Sequence, residues 1–305
     1  MKTFPRFLVL WVAAGSLAFC AWALDLPVGK GPAGPPVPKE VFKEAWTDRK
    51  ILLVGIGDSV TKGFGSSKGH SYFERLVANP SDEDLEMKGI CLSKVLPKLE
   101  PLNLSVSGST SLQHAKHQVP KLKVQPREVF GVVVMTTGGN DLIHDYGRGS
   151  PKEGAMYGAT PEQGMPWVET FERRLDGMLD GIEKAFPGGC LIFLADIYDP
   201  TDGEGDLEHA GLGLPAWKGG LALLQAYNEV IVRCAGRHKT THVVGMHDAF
   251  LGHGIHCAER RGKHYCERDP AYWYFENLED PNDRGYDAIR RAFLIEIAKG
   301  SGEIR

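Results

Sequence analysis

Short apolar runs alternate with amphipathic helical stretches along residues 51–298, and this rhythm limits the chain more than any other feature it has. Runs of four to eight apolar residues bounded by turn formers read as buried strands, and helical spacing of apolar side chains reads as one-sided helices. Residues 51–56, 102–106, 129–135, 191–195 and 242–246 are the expected strands. Helices are expected at 82–99, 167–185, 221–234 and 283–298, the last with Ile289, Phe293, Leu294 and Ile297 on one face. Strands separated by helices pair in parallel through right-handed crossovers, so the expected architecture is a three-layer α/β sandwich with a five-stranded parallel sheet and helices on both faces. The chain contains no internal repeat.

Residues 1–23 have the form of an export signal. Lys2 and Arg6 supply a positive start, an apolar stretch follows, and Ala21-Trp22-Ala23 offers small residues at the cut. Phe19 before Cys20 is too bulky for a lipid-anchor site, so cleavage after Ala23 and a secreted or periplasmic product without stable membrane insertion are expected. Residues 24–39 carry five prolines among glycines and read as a linker. Residues 40–305 then form one domain, since they suffice for a single α/β core with loop insertions.

The charge balance, 35 Lys+Arg against 39 Asp+Glu, gives no electrostatic reason to expect a nucleic acid partner. Without Cys20 five cysteines remain, an odd number. Cys257 and Cys266 flank a short polar segment and are the expected disulfide, while Cys190, opening an apolar strand, is expected as a buried thiol.

Residues 144–166 and 199–215 are polar, Gly-rich insertions at the ends of strands three and four. Ligands of parallel sheets bind beyond the carboxyl ends of the strands, so both insertions should border the site. Three motifs fall at such ends. Gly57-Asp58-Ser59 places a serine on a glycine-punctuated turn, Ser107-Gly108 ends in a residue whose N–H a ligand can approach, and Gly138-Gly139-Asn140-Asp141 offers an amide donor. Each motif alone is more often an ordinary turn or helix cap. A serine oxygen attacking a carbonyl needs donors aimed at the resulting oxyanion, and the three together supply nucleophile and donors.

These segments resemble the first three blocks of the SGNH hydrolases, also known as GDSL esterases or lipases. The resemblance implies a flavodoxin-like sheet, ester hydrolysis without a cofactor or metal, and an oxyanion hole formed by the Ser59 N–H, the Gly108 N–H and the Asn140 side chain. The family's fourth block, Asp-x-x-His followed by Pro-Asn and Gly-Tyr, is altered here. Asn277 stands where the carboxylate is expected and Asp280 where the histidine is expected, although Pro281-Asn282 and Gly285-Tyr286 keep the frame.

A serine needs a base within reach. Three possibilities follow: the base comes from elsewhere, Asp280 takes part directly, or the site is inactive. The leading candidate is His253, between two glycines, with His247 second and Asp280 or Glu279 orienting or charge-balancing it. The spacing of Cys257 and Cys266 with His256 and His264 fits no structural zinc pattern. The oxygen-rich stretch 199–206 lacks the ligand spacing of a hand-type calcium loop and reads as a solvated acidic turn. Tyr272-Trp273-Tyr274-Phe275, Trp217 and Trp167 offer faces for sugar stacking, with core packing the plainer account. The expected function is a secreted serine hydrolase of small-molecule or carbohydrate esters, and the alternative is an inactive module that binds glycan or envelope polymer. A nucleotide-binding reading is disfavoured because no Gly-rich phosphate loop leads from a strand into a helix.

Overall fold

The computed structural model describes residues 26–304, so the export signal and its cleavage point lie outside the described residues. Five parallel strands, β1 Lys50–Ile56, β2 Leu99–Asn103, β3 Val129–Met135, β4 Cys190–Ala195 and β5 Thr241–Val244, form one sheet in the order β2-β1-β3-β4-β5. This is the α/β sandwich expected from the sequence. In the central strands alternate side chains feed opposite layers, as the twofold period of a strand requires. Leu53, Val132, Val134 and Phe193 meet the final helix Asp283–Lys299 through Ile289, Phe293 and Ile297. Val54, Val133, Met135 and Ile192 meet the helices Pro161–Ala185 and Gly220–Arg237 through Phe171, Leu175 and Ile231.

Three elements depart from the expected boundaries. β2 lies three residues earlier than read, because as an edge strand it is largely exposed and carries no burial period. Its continuation still donates to the end of β1, Leu104 N–H to the Gly55 carbonyl at 2.8 Å and Val106 N–H to that of Gly57 at 3.1 Å. The helix expected over 82–99 is reduced to Leu92–Val95, preceded by turns. The helix expected from Trp167 starts at Pro161, where Thr160 and Gln163 form a capping box and proline occupies the first turn.

The described part of the proline-rich linker is a packed strap. Ala33 and Val37 are buried, the Ala33 N–H donates to Asp287 Oδ2 at 3.0 Å, and the Pro27 carbonyl accepts from Tyr272 N–H at 2.7 Å. Beneath it lies a buried charge network. Asp287 accepts from Arg290 at 2.7 Å and Arg291 at 3.1 Å, and Glu83 accepts from Arg75 at 3.1 Å and Arg290 at 2.8 Å. A composition too apolar-poor to fold alone acquires order here because the strap's backbone polar groups find fixed partners in the domain.

The expected Cys257–Cys266 disulfide is absent: both are free thiols. A buried carboxylate organises that segment instead. Asp202 accepts from the backbone N–H groups of Gly252, Gly254 and His256 at 2.8–3.0 Å. Cys190 is buried as expected, and burial pushes its thiol up to about 12. Among the described residues no helix is long and apolar enough to cross a membrane.

Candidate active site

The strand order reverses direction between β1 and β3, and the loops leaving these two strands meet there. After β1 the chain turns through Gly57, at φ +152°, where a side chain would meet the Thr136 hydroxyl at 2.3 Å. Glycine is required for this approach of the two loops. Asp58 then caps the short helix Ser59–Lys62 by accepting from Val60 N–H at 3.1 Å, and a second donor, Thr136 Oγ1, reaches the same oxygen at 3.0 Å. Ser59 is thereby placed at a helix start, where its own N–H has no intrahelical acceptor.

Gly108 lies at φ +75° on an exposed loop with open space around it, and among the described residues its N–H makes no hydrogen bond. Ser109 fixes this loop, donating to the Val106 carbonyl and contacting His114 Nε2 at 2.8 Å, while the other nitrogen of His114 meets the Thr137 hydroxyl at 2.9 Å. His114 is fully buried, and burial holds its pKa down to about 3, so it is a neutral strut between the loops after β2 and β3. Asn140 follows β3, is buried, and donates one amide hydrogen to the Ser109 carbonyl at 3.0 Å. Its second amide hydrogen is available.

The fourth block joins this group through Asp280. The segment folds back so that Phe275 N–H donates to the Asp280 carbonyl at 2.7 Å and Asn282 N–H to that of Trp273 at 2.9 Å. Asn282 caps the final helix with 3.0 Å bonds from Arg284 and Gly285, and the Tyr286 hydroxyl donates to the Phe64 carbonyl at 2.7 Å, which ties that helix to the serine turn. Asn277 Nδ2 donates to Asp280 Oδ2 at 2.7 Å. Asp280 Oδ1 is buried without a hydrogen bond of full geometry, and the carboxyl faces the Ser59 side chain. Burial raises the Asp280 pKa, while the approach of Ser59 and Asn277 pulls it down.

Two further carboxyls border the serine. Burial lifts Asp58 to about 6, with the charge of Asp280 adding to the rise against the hydrogen bonds that Asp58 accepts. Burial likewise lifts Glu279 to about 7, reinforced by Asp280 and Asp58. Ser59, Asn140, Asp58 and Glu279 all line one cavity, which extends between the two insertions to Tyr146 and Trp217. The volume open to the centre of a water-sized sphere is ≈ 80 Å³.

The histidines proposed from the sequence do not reach this cavity. His253 is 5% exposed, its ring lies flat on Trp273 with centroids 3.4 Å apart, and its Nδ1 meets the Ala271 carbonyl at 3.0 Å. Its charged neighbours are Asp269 and Arg284. The glycines around it serve Asp202, whose carboxylate their N–H groups bind, so they do not bend the histidine towards the serine. His247 contacts Asp248 and lines a separate groove with Asn228 and Val232. The aromatic run is mainly core, with Trp273 and Tyr274 buried, whereas Trp217 does reach the cavity. Sequence reasoning missed the strut His114 and the carboxyl of Asp196, which caps Met246 and His247 at 2.6 and 2.7 Å and also lines the cavity. The signals for the acidic cluster were Asp58 inside the first motif and Glu279-Asp280 in the altered fourth block.

A model of the GDSL-like lipase/acylhydrolase family matches residues 56–288. No curated protein matches the chain. Solved structures similar to it include an extracellular lipase from Streptomyces rimosus, at 14% identity and TM-score 0.49, covering 82% of this chain and 99% of the other. A catalytic mutant of an acetylxylan esterase from Geobacillus stearothermophilus follows at 18% identity and TM-score 0.49, covering 82% and 94%. A psychrotrophic esterase from Pseudoalteromonas sp. stands at 15% identity and TM-score 0.46, covering 81% and 97%.

Proposed function

Given that the chain belongs to the GDSL-like lipase/acylhydrolase family, we propose that it hydrolyses carboxylic esters through an acyl-enzyme on Ser59, with Asp280 as the base. The observation that carries this reading is the buried, unpartnered Oδ1 of Asp280 beside Ser59, with Oδ2 held by Asn277. On this reading Asp280 stands in for the histidine base, and Asn277 orients it.

In the first half-reaction the Ser59 oxygen attacks the carbonyl carbon as its proton passes to Asp280 Oδ1. The oxyanion is met by the N–H groups of Ser59 and Gly108 and by Asn140 Nδ2. Collapse expels the alcohol, which takes the proton from Asp280, and leaves the acyl group on Ser59. Water then attacks the acyl carbonyl, giving its proton to Asp280, and the acid departs as the Ser59 hydroxyl is restored. Burial strengthens Asp280 as a base by raising its pKa, and general-base catalysis of this kind supplies roughly 10²–10⁴-fold. The signal-like residues 1–23 support export of the enzyme.

The lack of an imidazole among the cavity-lining residues favours a second reading, an inactive relative that binds glycan in the same cleft. Release of p-nitrophenol from p-nitrophenyl butyrate separates the two. Turnover that disappears in Ser59→Ala supports hydrolysis, and equal inertness of wild type and variant across acyl lengths rejects it.

A further inference from the structure

The cavity beside Ser59 has mainly apolar walls, and its charged side chains are all carboxylic acids. Ile143, Ile197, Leu207, Leu224, Leu278 and Trp217 supply the apolar surface. The carboxyl groups on its lining are Asp58, Asp196 and Glu279, and no lysine, arginine or histidine of the described residues joins them. Its ≈ 80 Å³ is several times the roughly 10–15 Å³ that one water-sized group needs on the same measure.

Direction follows from the proton transfers. The leaving alcohol takes its proton from Asp280, so it lies on the side of Asp280, which does not line the cavity. The substituent on the carbonyl carbon then points the other way, past Asn140. From this arrangement we infer that the cavity is an acyl site for uncharged apolar groups longer than acetyl, and that it rejects acyl groups bearing an anion. The inference rests on Ser59 being the nucleophile and Asp280 the base. An aliphatic chain gains by leaving water for the apolar wall, whereas a carboxylate on that chain loses its hydration among acids and finds no cation to replace it.

The test uses 4-methylumbelliferyl esters of acetic, butyric and hexanoic acid, together with the glutaric half-ester and its methyl-capped form, at pH 7. The expected kcat/KM rises about fourfold for each methylene the wall covers. The half-ester should fall about 100-fold or more below its capped form, as like charges a few ångströms apart in a partly buried site require. Glu279→Gln should narrow that gap, and Leu224→Trp, which fills the cavity, should turn the preference towards acetate. Ser59-dependent turnover that is flat with chain length, or equal for half-ester and capped ester, overturns the inference and leaves the hydrolase reading standing. Should no ester be turned over, the hydrolase reading fails. The cavity is then read from the part of the Ser59→Ala fluorescence response that Trp217→Phe removes: a saturable response to hexanamide but not to glutarate supports an uncharged-chain site, and the reverse rejects it.

Discussion

Asp280 presents a buried oxygen without a full hydrogen bond to the side chain of Ser59, while its other oxygen is fixed by Asn277 at 2.7 Å. On the proposed reading the pair is nucleophile and base, and the altered fourth block substitutes one base for another. Asp280→Asn should cut kcat by about 10²–10⁴-fold with an unchanged fold, because the amide keeps the shape but accepts no proton. Steady-state kinetics beside a thermal melt checks this, and wild-type turnover in the variant rejects the assignment.

The pH profile carries a second signature. A carboxyl base works only when ionised, and burial has raised Asp280 above its usual range. Activity should therefore climb as pH rises through the acid region, with Asp58 near 6 and Glu279 near 7 titrating in the same cluster. Asp58→Asn removes one of the charges that raise Glu279, so the Glu279 step of the profile should move to lower pH while the Asp280 limb keeps its place. A profile of kcat/KM with no rise through the acid region, measured from pH 4 to 9, counts against a carboxylate base.

His253 should matter for stability and not for turnover. Its ring is stacked on Trp273 and hydrogen-bonded to Ala271, and it is not among the residues that line the cavity. His253→Ala should cost about 1–3 kcal/mol in urea unfolding while leaving kcat within a few-fold. Abolished turnover in a folded variant would return the histidine to the mechanism.

The charge network below the strap gives a fourth expectation. Burial by itself would raise Glu83, but Arg290 and Arg75 outweigh it and hold the carboxyl down at about 2. A depressed acid contributes stability that is complete above its unfolded pKa and is lost as pH falls through the folded one. This contribution should accordingly fade between about pH 4.5 and 2. Glu83→Gln leaves Arg290 buried without that charge and should cost about 3–5 kcal/mol at pH 7, read from denaturant midpoints. A loss below about 1 kcal/mol would show the network to be dispensable.

The sequence by itself determined the sheet, since the apolar periods of β1, β3 and β4 are local properties that burial on both faces imposes. It also carried the serine turn and the Asn140 loop, because a tight turn after a strand writes its glycines into the chain. β2 was less legible, an exposed edge that no burial pattern marks. Tertiary structure alone decided which group stands against Ser59, why the glycines around His253 exist, and that the proline-rich strap is packed. These depend on how a buried polar atom is matched to a partner, often more than a hundred residues away, and the cost of leaving such an atom unmatched is not a property of any short segment.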